Sequence, residues 1–216
     1  MRRLPIYLLL DTSGSMANEP IEAVKNGLKA MLASLRQDPH ALETAFLSVI
    51  EFNSDARQVV PLTDLISFVE PDLTVSGATS LGKALEVLAE CLEREVVRST
   101  PETKGDWAPL VFLFTDGHAT DTMDKGIQAL KAQKTGIVVA CAAGQHAKPE
   151  ELQRITETVV RLDTADASTI AAFFKWVSAS ISVSSQKVET GSGETSKLDE
   201  LPAPPAEISL IDLSKH

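Results

Sequence analysis

The 216-residue chain has only two cysteines, Cys91 and Cys141. Neither has metal-ligand spacing, so no Cys/His zinc motif is expected. Both fall in apolar segments and read as small core residues rather than a disulfide. Basic residues are also scarce, with 20 Lys and Arg against 30 Asp and Glu and a formal charge of −10. A nucleic-acid partner requires a basic face to neutralise phosphate, so that class is excluded. No apolar run approaches the roughly 20 residues that span a bilayer, so membrane insertion is not expected. No G-x-S-x-G elbow surrounds a serine, and no phosphate-binding Gly-rich loop ending in Lys-Ser or Lys-Thr occurs. Mean hydropathy of +0.02 with 44% hydrophobic residues is that of a globular domain.

What is present is organised around Asp11-Thr12-Ser13-Gly14-Ser15. The preceding Ile6–Leu10 is apolar without alternation, the pattern of a strand buried on both faces. Ile21, Val24, Leu28, Met31, Leu32 and Leu35 then recur at helical spacing. One carboxylate and two hydroxyls therefore lie in a turn between a central strand and a helix. Ligands in open α/β sheets bind at the carboxyl ends of strands, and oxygen groups there suit a hard cation. Two further segments match this one. Ser76-Gly77-Ala78-Thr79-Ser80 opens a second helical run, and Pro109–Phe114 leads into Thr115-Asp116-Gly117.

The D-x-S-x-S, the Gly-x-Thr and the strand ending in T-D-G, in that order, resemble the metal-ion-dependent adhesion site of the von Willebrand factor type A family. The resemblance covers about residues 4–183. It implies that Asp11, Ser13, Ser15, Thr79 and Asp116 form a metal site, some of them acting through water. Three of the five are neutral hydroxyls, which leave the cation able to accept a Glu or Asp from a protein partner. Mg2+ is the expected occupant and Mn2+ the second candidate. The implied function is non-enzymatic: a protein–protein interaction module. The opening Leu4–Met16, Pro20-Ile21-Glu22 and Ala142-Ala143-Gly144 are most similar to the stand-alone bacterial TerY-like, tellurite-resistance-associated branch. That likeness implies stress or phosphorylation signalling with a Ser/Thr kinase-like and a phosphatase-like partner. The alternatives are an adaptor of an ATPase-driven chelatase or chaperone assembly and a metal-dependent phosphatase. The phosphatase reading lacks the second Asp of D-x-D, since Ser13 stands in its place.

Strand and helix patterns alternate along the chain, which predicts a doubly wound, Rossmann-like α/β fold with helices on both faces. The sheet is expected to be mostly parallel, with about six strands and one antiparallel edge strand near residues 57–61 closed by Pro61. The first helix is expected from Glu19 to Gln37, with Asn18 as its N-cap and Asp38-Pro39 as its stop. Leu62, Leu65, Ile66 and Phe68 are expected in a short turn covering the sheet edge. The last domain helix is expected over Ser168–Ser184. Of the four histidines, His118 is singled out because it follows Asp116 toward the metal face.

These patterns place the domain at residues 1–185 and a tail at 186–216. The tail begins with a Gly/Ser-rich linker, continues through Leu201-Pro202-Ala203-Pro204-Pro205 and carries an apolar patch at Glu207–Leu213. The patch is expected either to remain unstructured or to dock on a sheet edge or groove. Thr190, Ser192, Thr195 and Ser196 are candidate kinase substrates. Met1-Arg2-Arg3 before an apolar stretch resembles a signal peptide. The stretch runs into Asp11 without a small-residue cleavage site, so it reads as the first strand of a cytoplasmic protein.

Overall fold

A computed structural model describes residues 2–211. β1 (Leu4–Asp11) is buried at every position, as its uninterrupted apolar run requires of a central strand. It is flanked on one side by β2 (Ala45–Phe52) and then β3 (Ala56–Asp64). On the other side follow β4 (Leu110–Thr115), β5 (Val138–Ala143), β6 (Thr158–Leu162) and a two-residue β7 (Ser209–Leu210). The order is β3-β2-β1-β4-β5-β6-β7, with β3 and β7 antiparallel to their neighbours. Among the described residues the sheet thus has seven strands and two antiparallel edges, one more of each than the sequence pattern predicts. The extra strand is too short to show periodicity and comes from the tail.

Alternation along β1 divides the core between the two faces of the sheet. Leu4, Ile6, Leu8 and Leu10 pack beneath α1 (Glu19–Leu35), α2 (Pro39–Thr44) and α6 (Ala167–Glu189). Tyr7 and Leu9 face α3 (Leu81–Glu95), α4 (Asp124–Lys131) and α5 (Pro149–Gln153). Gly27 of α1 permits the close approach of α6, because a Cβ there would stand 2.4 Å from the Phe174 ring.

Several boundaries differ from expectation for local reasons. Asp38-Pro39 ends α1 and also starts α2, with the Asp38 side chain accepting from the N–H groups of His40 and Ala41. Asn18 makes no side-chain cap; its φ of 69° is positive, a value that no other non-glycine residue among those described adopts. Pro61 does not close β3, because the strand is an outer edge and Pro61 falls at a register shift between the Val49–Val60 and Leu47–Thr63 pairs. In the turn after β3, Leu65 and Phe68 are buried, but Ile66 points outward at 77% exposure. α6 continues to Glu189, beyond the composition change at 186.

The following segment packs against the domain. Thr195 is buried and its hydroxyl pairs with that of Ser184 at 2.8 Å, so it is not an accessible kinase target as it stands. Trp176 donates its indole N–H to the Pro202 carbonyl at 2.8 Å, and Lys187 meets Glu200 at 3.1 Å. Leu201 and Ile208 join the core beneath α6. Leu210 and Ser209 pair with Val160 and Arg161 of β6. Asp212 and Leu213 of the apolar patch lie outside the described residues.

Truncating Leu201 to Ala is expected to lower unfolding free energy by about 2 kcal/mol, the cost of removing a buried aliphatic side chain. Urea unfolding followed by Trp fluorescence measures it. An unchanged midpoint would contradict docking of this segment.

Candidate metal centre

All five predicted ligands converge at the C-terminal ends of β1 and β4, which are adjacent and parallel. Asp11 is the last residue of β1 and is fully buried. The chain then forms a single 3-10 turn at Gly14–Met16, anchored by buried Met16, which lifts Ser15 to the surface. Thr79 lies in the loop before α3, and Asp116 directly follows β4. Both are less than one-tenth exposed.

A chain of short contacts links these side chains. Asp11 Oδ1 accepts from the Ser13 backbone N–H at 2.8 Å, and Oδ2 from the Thr115 hydroxyl at 2.5 Å. The hydroxyls of Ser13 and Ser15 are 3.1 Å apart, and Ser15 donates to Asp116 Oδ1 at 2.7 Å. A Cβ built on Gly117 would lie 3.3 Å from Thr79 Oγ1 and 3.8 Å from Ser15 Oγ, so glycine keeps this space open.

Backbone bonds between loops fix the cluster. Gly14 N–H donates to the Gly77 carbonyl at 3.0 Å, and Ser76 N–H to the Thr12 carbonyl at 2.9 Å. Thr79 and Thr120 exchange two bonds, through Thr120 Oγ1 at 3.1 Å and the Thr79 carbonyl at 2.9 Å. Asp121 accepts from the N–H groups of Gly82 and Lys83, both at 2.9 Å, and so supplies the α3 N-terminus with an acceptor.

Thr115, Thr120 and Asp121 hold this geometry but were absent from the sequence-derived set. Thr115 had a legible signal, a lone hydroxyl at the end of an apolar strand. Thr120 and Asp121 are legible only as members of a loop at the metal face that follows Asp116. His118 is exposed on this face. His146, after β5, is the histidine whose charge acts on Asp116, favouring its ionised form.

The electrostatics of the site are dominated by desolvation of its two acids. Burial pushes the Asp11 carboxyl up to about 6, against the stabilising bonds from Ser13 and Thr115. Burial also raises Asp116, against the Ser15 bond. Among the described residues neither forms a salt bridge, whereas buried Glu51 pairs with Arg57 at 2.7 Å. Two desolvated carboxylates without an ion-pair partner among the described residues, beside three hydroxyls, are the donor types that suit a hard divalent cation. Among the described residues there is no cluster of three or more His, Cys, Asp or Glu, so hydroxyls are essential to this set.

Residues 6–174 match the von Willebrand factor type A domain. The chain belongs to the von Willebrand factor type A family. Mouse Matrilin-2 is 26% identical over 158 residues, covering 70% of this chain and 16% of that protein. An uncharacterized Synechocystis protein is 29% identical over 123 residues, covering 54% of this chain and 26% of its own length. The solved structure of proximal thread matrix protein 1 from the mussel byssus, with a zinc-occupied MIDAS motif, superposes with a TM-score of 0.59. It is 21% identical, with 85% of this chain and 46% of that one covered. The chain therefore spans less than half of each of these relatives. Domains of this family are generally protein-interaction modules without catalytic activity. No helix among the described residues is long and apolar enough to cross a membrane.

The raised pKa of Asp11 predicts a pH dependence for the metal-free protein. An unfolded Asp ionises near 4, so between about 4 and 6 the folded state keeps a proton that the unfolded state releases. Stability from this group is complete below about pH 4 and lost as pH rises through about 6. The loss amounts to about 3 kcal/mol at about 1.4 kcal/mol per pKa unit. Urea unfolding in EDTA at both ends of this range, compared with Asp11→Asn, isolates the effect. The variant is expected to be the more stable protein at neutral pH. Parallel pH profiles for the two proteins would contradict the assignment.

Proposed function

We propose that this von Willebrand A domain binds a carboxylate of a protein partner through a divalent cation held by Asp11, Ser13, Ser15, Thr79 and Asp116. The observation that carries the reading is two buried carboxylates with no salt bridge among the described residues, meeting three hydroxyls at one sheet end.

Asp11 supplies charge from below and is locked by Ser13 N–H and Thr115. Ser13, Ser15 and Thr79 supply neutral oxygen donors. Asp116 balances charge from the β4 side, and its bond from Ser15 holds both side chains toward the same space. When bound, the cation supplies an electrophilic position for the partner's Glu or Asp. Neutral hydroxyls matter here, because a first shell of carboxylates would cancel the positive charge. Hard oxygen donors favour Mg2+, with Mn2+ next.

The reading extends to a cytoplasmic protein in bacterial stress or phosphorylation signalling, with Ser/Thr kinase-like and phosphatase-like partners. Its support is the likeness of Leu4–Met16, Pro20-Ile21-Glu22 and Ala142-Ala143-Gly144 to the TerY-like branch.

Titration calorimetry with Mg2+ or Mn2+ is expected to give one site per chain, weakened about tenfold in Thr79→Ala and lost in Asp116→Ala. Partner capture from native lysate is then expected with Mg2+ and to fail with EDTA or Asp116→Ala. Partner retention under both treatments would contradict the cation-bridged mechanism.

A further inference from the structure

Beside the metal centre, between the β2–β3 hairpin and the loop leading to Thr79, lies a cavity of about 390 Å³. Glu51, Asn53, Asp55, Arg57, Thr74 and Ser76 line it. It shares a wall with the metal loop. Asn53 Nδ2 donates to Thr12 Oγ1 at 3.3 Å, and Ser76 N–H donates to the Thr12 carbonyl at 2.9 Å. Thr12 stands between Asp11 and Ser13.

Both acids that line the cavity are ion-paired, Glu51 with Arg57 and Asp55 with Lys83, yet one carboxylate oxygen of Glu51 is unused. The Glu51 side chain is only 4% exposed, and Arg57 Nε takes Oε1 at 2.7 Å. Glu51 Oε2 is buried with no hydrogen-bond partner among the described residues. A buried carboxylate oxygen without a donor costs free energy, and a ligand donor that reached it would recover that cost. Arg57 does not seal the site, since its side chain is 71% exposed. On the rim, Asp55 accepts from Ala56 N–H at 2.9 Å and meets Lys83 at 3.4 Å, and its side chain is 82% exposed. The chain as a whole carries a formal charge of −10. A partner bringing only carboxylates to this surface would be repelled, whereas one acid set among bases would be attracted.

We propose that this cavity is a second recognition subsite that receives a Lys or Arg side chain lying within a few residues of the partner's metal-binding acid. Glu51 Oε2 accepts from the incoming ammonium or guanidinium while Arg57 keeps Oε1, and Asp55 guides it at the rim. The partner segment is thus an acid with a basic neighbour, the acid at the cation and the base one loop away. This inference rests on the metal-site reading and adds the sign of charge beside the acid.

Random peptides displayed on phage, selected on the full chain in Mg2+ and eluted with EDTA, test it. The eluted peptides are expected to carry a Glu or Asp with a Lys or Arg nearby. Replacing that base by Ala is expected to weaken binding to the native chain about tenfold, by fluorescence anisotropy, and to change binding to Glu51→Gln little. Asp55→Asn, at an exposed position, repeats the cycle independently should Glu51→Gln fold poorly, with a smaller loss expected. Eluted peptides bearing an acid without a basic neighbour would overturn the subsite while leaving the metal reading intact. Peptides indifferent to EDTA would overturn both.

Discussion

Asp11 and Asp116 are held away from water at the ends of two adjacent parallel strands, and neither has a salt-bridge partner among the described residues. Desolvating a carboxylate is costly, and both groups respond by holding their protons more tightly. The arrangement persists because the surrounding structure leaves the carboxylates no other place. β1 is buried along its whole length, so the residue ending it emerges inside the layer rather than at a rim. The inter-loop bonds of Gly14 to Gly77, Ser76 to Thr12 and Thr79 with Thr120 then brace the loops around the site. Stability is given up here, and under the proposed function the oxygen groups so held would receive a cation.

The rest of the fold serves that cradle by keeping the strand ends in register. Apolar contacts on both faces of β1 and β4 fix the two strands, and the parallel ladder sets Asp11 beside Thr115. The segment after α6 adds constraint from a distance. Trp176, Ser184 and Lys187 on α6 each contact it, and its end pairs with β6. Helix α6 is thereby tied to the sheet edge farthest from β3.

Much of this was legible in the residues. The unbroken apolar runs before Asp11 and Asp116 identify central parallel strands, since only burial on both faces tolerates them. The three oxygen-bearing loops follow because each adjoins such a strand or opens a helix. The less legible parts depend on contacts remote in sequence. β7 has two residues and no periodicity, and only the free edge of β6 makes it a strand. Pro61 reads locally as a terminator, yet its edge position makes it harmless. Thr195 lies in a Gly/Ser-rich stretch that looks solvated, but Ser184 on the last helix draws it inward. Thr120 and Asp121 resemble any polar loop until Thr79 and the start of α3 are placed against them. The unpaired oxygen of Glu51 is likewise visible only when the hairpin is folded over it.

The most direct test of the central claim is anomalous diffraction from crystals of the full chain grown with Mn2+. The account predicts one strong peak enclosed by Asp11, Ser13, Ser15, Thr79 and Asp116, and its loss in Asp116→Ala. Crystals that diffract well with no anomalous density among these five residues, or with Mn2+ bound only elsewhere, would contradict it.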